Sequence, residues 1–131
     1  MAPKILLVED EKSLCELICS MFSEQYEVVC VDNGASVFEQ FNQKECPQIV
    51  LLNYLLPDTV GRPPVGIGLN LLQFIKKKSP QTTVIMFTGC KLTEVAFQAG
   101  RLGAFAYVLK PFDVEKLAKL LESAIKHGRD S

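Results

Sequence analysis

Polar side chains with complementary chemistry stand at four places in the sequence, each directly after a short apolar run. They are Glu9 with Asp10, Asn53, Thr88 and Lys110. Unbroken apolar runs of this kind are typical of strands that are covered on both faces of a parallel sheet. Because chemistry gathers outside the carboxyl ends of the strands in open α/β sheets, we expect these side chains to meet at one edge.

The residue types indicate a site for a phosphoryl group. The adjacent carboxylates of Glu9 and Asp10 attract a hard divalent cation, and Mg²⁺ usually takes one or two carboxylates together with water and phosphate oxygens. The Thr88 hydroxyl can donate a hydrogen bond to a phosphoryl oxygen, and a lysine ammonium pairs with carboxylates or phosphates. Taken singly, such residues are more often a helix start, a cap or a surface charge. At matching strand ends they favour a site that works by position and charge.

The elements that position these residues alternate between strand and helix patterns. Apolar runs predict strands at Lys4–Val8, Val28–Val31, Ile49–Leu52, Thr83–Phe87 and Phe105–Leu109. Helical spacing predicts five helices. The first has an apolar face from Leu14 to Phe22, and the second has one from Val37 to Phe41 and ends before Cys46. The third spans Leu69–Lys78, the fourth has apolar residues from Leu92 and runs to Gly100, and the fifth has Asp113 as its N-cap and an apolar face from Val114 to Ile125. In the third helix, Leu72, Ile75 and either Leu71 or Phe74 face inward. Right-handed crossovers then give one parallel sheet with helices on both faces.

Composition limits the classes of protein that fit. With 131 residues and 48% hydrophobic content, the chain fits one compact domain. Fourteen basic and fifteen acidic residues give a net charge of −1, so no overall field favours nucleic acid or an anionic membrane. No signal peptide opens the sequence and no apolar stretch could span a membrane, which predicts a soluble cytoplasmic protein.

The cysteines are odd in number and scattered, with no Cys-x-x-Cys pair. They are Cys15, Cys19, Cys30, Cys46 and Cys90. This pattern favours small core residues in a reducing cytosol over disulfides or a zinc site.

One connection is unusually long. The segment between Asp58 and Gly68 is rich in proline and glycine, and we interpret residues 59–67 as a loop insertion. A tolerated surface insertion is the simpler interpretation, and a functional lid or docking loop is the alternative.

The ordered set of motifs resembles the receiver domain of two-component response regulators, from Lys4 to about Lys126. The motifs that carry the resemblance are Lys-Ile-Leu-Leu-Val-Glu-Asp-Glu, Ile-Val-Leu-Leu-Asn-Tyr-Leu-Leu-Pro-Asp, Met-Phe-Thr-Gly, and Gly-Ala-Phe-Ala-Tyr-Val-Leu-Lys-Pro-Phe. The resemblance implies a flavodoxin-like three-layer α/β sandwich, with a five-stranded parallel sheet of order 2-1-3-4-5 and five helices.

The resemblance also implies roles for individual residues. Asp10 and Glu9 would hold Mg²⁺, with Asn53 and the Leu55 carbonyl in the same coordination shell. Thr88 and Lys110 would contact the phosphoryl group, and the Lys110–Pro111 bond would be cis. Thr88 and Tyr107 would act as switch residues that pass the signal to the surface of the fourth and fifth helices and the fifth strand. Tyr107 is otherwise an ordinary strand aromatic.

Asn53 departs from the family pattern, which has the phosphoacceptor aspartate at this position. A carboxamide is a far weaker nucleophile than a carboxylate and cannot form the same acyl phosphate. The amide also removes a negative charge beside Glu9 and Asp10, which should weaken Mg²⁺ binding. Its oxygen can still accept a hydrogen bond from Lys110. Asn53 therefore imitates the unphosphorylated state. Asp58 is a candidate substitute acceptor, but we expect Pro57 and the turn to direct its side chain away from the site.

Two origins of Asn53 remain open. The natural protein either carries aspartate, changed here to block phosphorylation, or is a pseudo-receiver that acts by binding alone. Two other function classes compete with a receiver: a flavodoxin-like cofactor carrier, and a scaffold that docks through the Gly61–Gly68 loop. The acidic Glu9–Glu11 loop disfavours the carrier, because it would repel a phosphate.

The expected function is signalling rather than catalysis. The resemblance implies a sensor histidine kinase or phosphotransfer protein as one partner and a downstream effector protein as another. It implies no nucleic acid or membrane contact by this domain. We expect a single receiver domain over residues 1–131 without an output domain, since the last helix ends near His127.

Overall fold

The computed structural model describes residues 2–130. In chain order the elements are β1 (Lys4–Val8), α1 (Lys12–Phe22), β2 (Glu27–Val31), α2 (Gly34–Phe41), β3 (Ile49–Leu52), β4 (Leu56–Pro57), β5 (Pro64–Val65), α3 (Gly68–Lys78), β6 (Thr83–Thr88), α4 (Thr93–Arg101), β7 (Ala106–Leu109) and α5 (Val114–Asp130). Strands and helices alternate as the sequence pattern predicts, apart from the short β4–β5 pair.

One parallel sheet organises the fold. Its strand order is β2-β1-β3-β6-β7, and all four pairings are parallel. Counting only the strands of this sheet, the order is the predicted 2-1-3-4-5. The strand β3 lies at the centre, so its carboxyl end is flanked by the ends of β1 and β6.

The two faces of the sheet support separate halves of the core. On β3, Val50 and Leu52 belong to the half that contains α2 and α3 side chains, whereas Ile49 and Leu51 belong to the half with α1 and α5. All four are fully buried. Alternate side chains enter opposite layers, which explains why a strand buried on both faces has an unbroken apolar sequence.

The local predictions agree with the structure in most places. Leu71 rather than Phe74 is fully turned inward on α3, where it is 3% exposed. The Asp113 carboxylate accepts from the Lys116 N–H at 3.1 Å, as an N-cap should. The Lys110–Pro111 bond is cis.

The segment that we interpreted as a loop insertion contains part of a small antiparallel hairpin. Leu56 pairs with Val65 and Pro57 with Pro64, and Leu56 is fully buried. Each strand has only two residues, too few for a periodic pattern, and proline cannot donate a ladder hydrogen bond. Those properties hid the hairpin from sequence reasoning. We call residues 56–65 the hairpin.

Candidate functional site

Backbone hydrogen bonds place the candidate residues just beyond the strand ends. The Asn53 N–H donates to the Val8 carbonyl at 3.2 Å, and the Glu9 N–H donates to the Val31 carbonyl at 3.0 Å. The Lys110 N–H donates to the Thr88 carbonyl at 3.0 Å. Each bond extends the parallel ladder by one step, so the side chains that follow β1, β3, β6 and β7 share the carboxyl edge.

Glu9 is the centre of the side-chain network at this edge. Its side chain is 1% exposed, and its carboxylate forms an ion pair with the ammonium group of Lys110, whose side chain is 20% exposed. Its second oxygen accepts from the Glu11 N–H at 3.0 Å. The Lys110 ammonium also lies 5.4 Å from the centre of the Phe87 ring, close enough for a cation–π contact.

The Asn53 amide is bonded at both ends. Its NH₂ group lies 3.5 and 3.4 Å from the two Glu9 carboxylate oxygens, and its oxygen accepts from the Tyr54 N–H at 2.8 Å. Our expectation that the amide oxygen would accept from Lys110 is wrong, because the lysine pairs with Glu9. A charged carboxylate is the stronger partner for an ammonium ion, and the amide then serves the same carboxylate as a donor.

The environment of Glu9 opposes its ionisation. Burial raises the pKa of the Glu9 carboxyl, and the neighbouring Asp10 side chain adds to the rise. Hydrogen bonding and charge from Lys110, together with the Glu11 N–H, act in the opposite direction. The Asn53 NH₂ group also favours the ionised carboxylate, which can accept its hydrogen bond.

The predicted Mg²⁺ ligands satisfy the donor chemistry of that ion only in part. Glu9 and Asp10 supply hard carboxylate oxygens, of which Asp10 is exposed and Glu9 is already shared with Lys110. The Asn53 oxygen is committed to the Tyr54 N–H, and Leu55 is 48% exposed. Within residues 2–130, no three His, Cys, Asp or Glu side chains form a group that could hold a metal.

The predicted switch residues are linked through the backbone of Cys90. The Cys90 N–H donates to the Thr88 hydroxyl oxygen at 3.2 Å, and the Tyr107 hydroxyl donates to the Cys90 carbonyl at 2.8 Å. Thr88 is 2% exposed and Tyr107 is half-buried. Burial raises the pKa of Tyr107 to about 12. One residue therefore connects the hydroxyl group at the site to the aromatic ring on β7.

Sequence reasoning missed two glycines, Gly66 and Gly68, that lie against the loop after Asn53. The Tyr54 carbonyl accepts from the Gly68 N–H at 2.9 Å. A Cβ atom at Gly68 would lie 2.6 Å from the Asn53 carbonyl oxygen, and one at Gly66 would lie 2.7 Å from the Tyr54 hydroxyl oxygen. The two glycines permit close approach to Tyr54, and their spacing in the sequence was the signal that could have indicated it.

The hairpin is also tied to α2. The Ala35 N–H donates to the Asp58 carbonyl at 2.8 Å, and the Asn33 side chain caps α2 by accepting from the Ser36 N–H at 3.0 Å. Asp58 itself is exposed. The hairpin therefore connects the loop after Asn53 to the start of a neighbouring helix.

Two concave regions lie at opposite ends of the sheet. A cavity of about 660 Å³ is lined by residues near the amino ends of the strands, including Lys4, Gln48 and Thr82. A depression of about 470 Å³ borders Glu9, Asp10 and Asp32 at the carboxyl edge. The cavity at the carboxyl edge is therefore the smaller of these two.

The strand order and the residues at the carboxyl edge define the class of two-component receivers. The sequence profile of the response regulator receiver domain matches residues 5–122. The chain belongs to this family.

Similar proteins agree with that assignment. The regulatory protein AtoC of Escherichia coli (strain K12) is 30% identical over 124 residues, which cover 94% of this chain and 25% of that protein. The receiver domain of NtrX from Brucella abortus is 31% identical, with a TM-score of 0.79 over 93% of this chain and 98% of that chain. The signal receiver domain of an HD domain-containing protein from Pseudomonas fluorescens Pf-5 is 23% identical and shares the fold, with a TM-score of 0.87 over 100% of both chains.

The chain spans about a quarter of the length of the curated relatives it matches. Among the described residues, none of the helices has the length and apolar character needed to cross a membrane.

Proposed function

We propose that this domain transmits two-component signals by protein contact, and that Asn53 prevents the aspartyl phosphorylation that would otherwise control the contact. The domain has a binding role and no catalytic role of its own. The observation that carries the proposal is the Asn53 amide, whose NH₂ group faces both Glu9 oxygens and whose oxygen accepts from the Tyr54 N–H.

The charge at residue 53 determines whether its side chain repels the Glu9 carboxylate. With a carboxylate there, two negative groups would face each other at about the present 3.4 Å, and the single charge of Lys110 would leave a net negative charge for a further cation to offset. The amide replaces this repulsion with a hydrogen bond, so the edge holds together without a metal. The same change removes the nucleophile that would accept a phosphoryl group.

Mg²⁺ would be held by Glu9 and Asp10, with the Leu55 carbonyl as a further oxygen ligand. When bound, the ion would supply positive charge to phosphoryl oxygens at the edge. Since Glu9 is shared with Lys110 and the Asn53 oxygen is engaged by Tyr54, we expect weaker binding than in the acid form.

Partners follow from the class of protein. We propose a sensor histidine kinase or a phosphotransfer protein on the input side and an effector protein on the output side. The surface around α4, β7 and α5 carries exposed apolar side chains suited to such a contact. They are Leu92, Phe97, Leu109 and Val114.

A pseudo-receiver is the second candidate, and the hairpin favours it. The hairpin is bonded to α2 through the Asp58 carbonyl, and the Gly68 N–H at the start of α3 bonds the Tyr54 carbonyl, so the loop after Asn53 is fixed independently of any phosphoryl group. If asparagine is the natural residue, the domain acts as a phosphorylation-independent interaction module.

The experiment compares phosphoryl labelling of the wild type and the Asn53→Asp variant by acetyl phosphate with Mg²⁺. We expect no phosphoryl addition to the wild type, and on the variant alone an acyl phosphate that hydroxylamine removes. Asn70→Asp is the matched control, because it makes the same chemical change at an exposed position on α3. Labelling of the wild type, or none of Asn53→Asp, would contradict the proposal.

A further inference from the structure

Three of the five cysteines lie together between α1 and β2. Cys15 and Cys19 are four residues apart on α1, so their side chains lie on one side of the helix. Cys30 is in register with Leu7 of β1, and both contribute to the half of the core that contains α1. The fold therefore directs three thiols from two elements into one layer.

The distances within this cluster single out one pair. The Cys19 and Cys30 sulfur atoms are 3.9 Å apart. The Cys15 thiol is also near Cys30, and it donates to the Glu9 carbonyl at 3.5 Å. Since the carbonyl engages Cys15, the pair in direct sulfur contact without a competing backbone partner is Cys19 with Cys30.

The three thiols are not arranged to bind a metal ion. Across the described chain, no set of three His, Cys, Asp or Glu side chains is arranged to hold one. Two thiols in contact can instead be joined covalently, which requires the sulfur atoms to approach to about 2.05 Å. Cys19 is partly exposed on a helix, so its side chain has room to rotate and an oxidant can reach it.

We propose that Cys19 and Cys30 form a disulfide when the protein meets a two-electron thiol oxidant of the peroxide class. The Cys19 sulfur attacks one oxygen of hydrogen peroxide, which gives a sulfenic acid and one water molecule. The Cys30 sulfur then attacks the Cys19 sulfur and displaces the sulfenic oxygen as a second water molecule. The two thiols lose two electrons and two protons, and the peroxide takes them up.

The surroundings of Cys30 indicate that it attacks the oxidised Cys19 sulfur and not the peroxide. Burial and the two neighbouring thiols raise the pKa of Cys30, so its thiolate is scarce and it reacts slowly with a peroxide from solution. Its attack on Cys19 is intramolecular, and the 3.9 Å contact offsets that scarcity. The resulting bond would link residues eleven apart and fasten α1 to β2. Because α1 begins directly after Glu9 and Asp10, the bond would also restrain the acidic segment of the candidate site.

The test is peptide mapping of the peroxide-treated wild-type protein without reduction. Cleavage after glutamate separates the three thiols, because Cys15 ends up before Glu16, Cys19 in Leu17–Glu24 and Cys30 in Val28–Glu39. We expect the last two peptides to be joined, at a rate about tenfold or more above oxidation of Cys46 or Cys90, because the reacting sulfur atoms are held together.

Two variants and one control complete the design. Cys19→Ser and Cys30→Ser should each abolish the joined peptide, whereas Cys46→Ser, at another half-buried cysteine, should leave it unchanged. Dibromobimane, which becomes fluorescent on alkylating two nearby thiols, tests the same pair in the untreated wild type. A link from Cys30 to Cys15, or oxidation of Cys19 and Cys30 no faster than that of Cys46, would overturn the proposal.

Discussion

At the scale of single residues, the neutral amide of Asn53 fits beside the Glu9 carboxylate without the repulsion that a second carboxylate would cause. It donates to Glu9, which is buried and already paired with Lys110, and it accepts from the adjacent Tyr54 N–H. The nitrogen and the oxygen of the amide therefore each have a hydrogen-bond partner in the protein. Position 53 was predicted from the sequence because it follows the central apolar run. The orientation of the amide could not be predicted, because it depends on whether Lys110 pairs with Glu9 or with residue 53.

Tyr107 gives a prediction of pH dependence at this scale. Burial raises its pKa from 10.0 to about 12, so between these pH values the unfolded state binds fewer protons than the folded state. The free energy of unfolding therefore falls as the pH rises from 10 towards 12. We expect the fall to be shallower in Tyr107→Phe, measured by urea unfolding at several pH values. Parallel curves for the two proteins would show that the hydroxyl is not buried against Cys90.

The same variant has a second readout at neutral pH. Tyr107→Phe removes the 2.8 Å hydrogen bond to the Cys90 carbonyl, which should cost about 0.5–1.5 kcal/mol of stability. Tyr26→Phe is a matched control, because that ring is also buried but lies in the half of the core behind α1. Loss of the hydroxyl there should leave the conformation of Cys90 and Thr88 unchanged in NMR spectra.

At the scale of elements, the packing of the start of α3 against the loop after Asn53 depends on a glycine that the sequence pattern did not explain. The N–H of Gly68 bonds the Tyr54 carbonyl, and a Cβ atom at Gly68 would lie 2.6 Å from both the Asn53 carbonyl oxygen and the Tyr54 Cα. These neighbours are backbone atoms, which cannot turn aside as a flexible side chain could. The start of α3 and the loop after Asn53 must therefore separate if residue 68 gains a side chain.

We predict that Gly68→Ala lowers the free energy of unfolding by about 1–3 kcal/mol because of this overpacking. Gly100→Ala is the matched control, since a Cβ atom there meets nothing within 4 Å and alanine favours a helix. That control should gain about 0.5–1 kcal/mol. Urea unfolding of both variants provides the measurement, and equal stabilities would refute the close approach at Gly68.

The elements also show where sequence reasoning works. Long periodic segments such as α5 and unbroken runs such as β3 were predicted because burial imposes a repeated pattern on them. The two-residue strands of the hairpin are too short to carry such a pattern.

At the scale of the whole molecule, the sheet brings distant residues to one edge. Glu9 and Lys110 are 101 positions apart in the chain and yet form an ion pair, because β1 and β7 run parallel in one sheet with β3 and β6 between them. The convergence follows from alternation and right-handed crossovers, which the sequence pattern supports. The strand order came from the family resemblance, because hydrophobic pattern alone does not determine which strands are neighbours.

The central claim is that the Asn53 amide does at this edge what a metal would otherwise do. The most direct measurement is the free energy of unfolding of the wild type and of Asn53→Asp, each with and without Mg²⁺. We predict that the variant is less stable by about 1–3 kcal/mol without the metal, because two carboxylates then face each other. Saturating Mg²⁺ should restore most of that loss while changing the wild type little. Equal stability of the two proteins without Mg²⁺, together with no response of Asn53→Asp to the ion, would contradict the account.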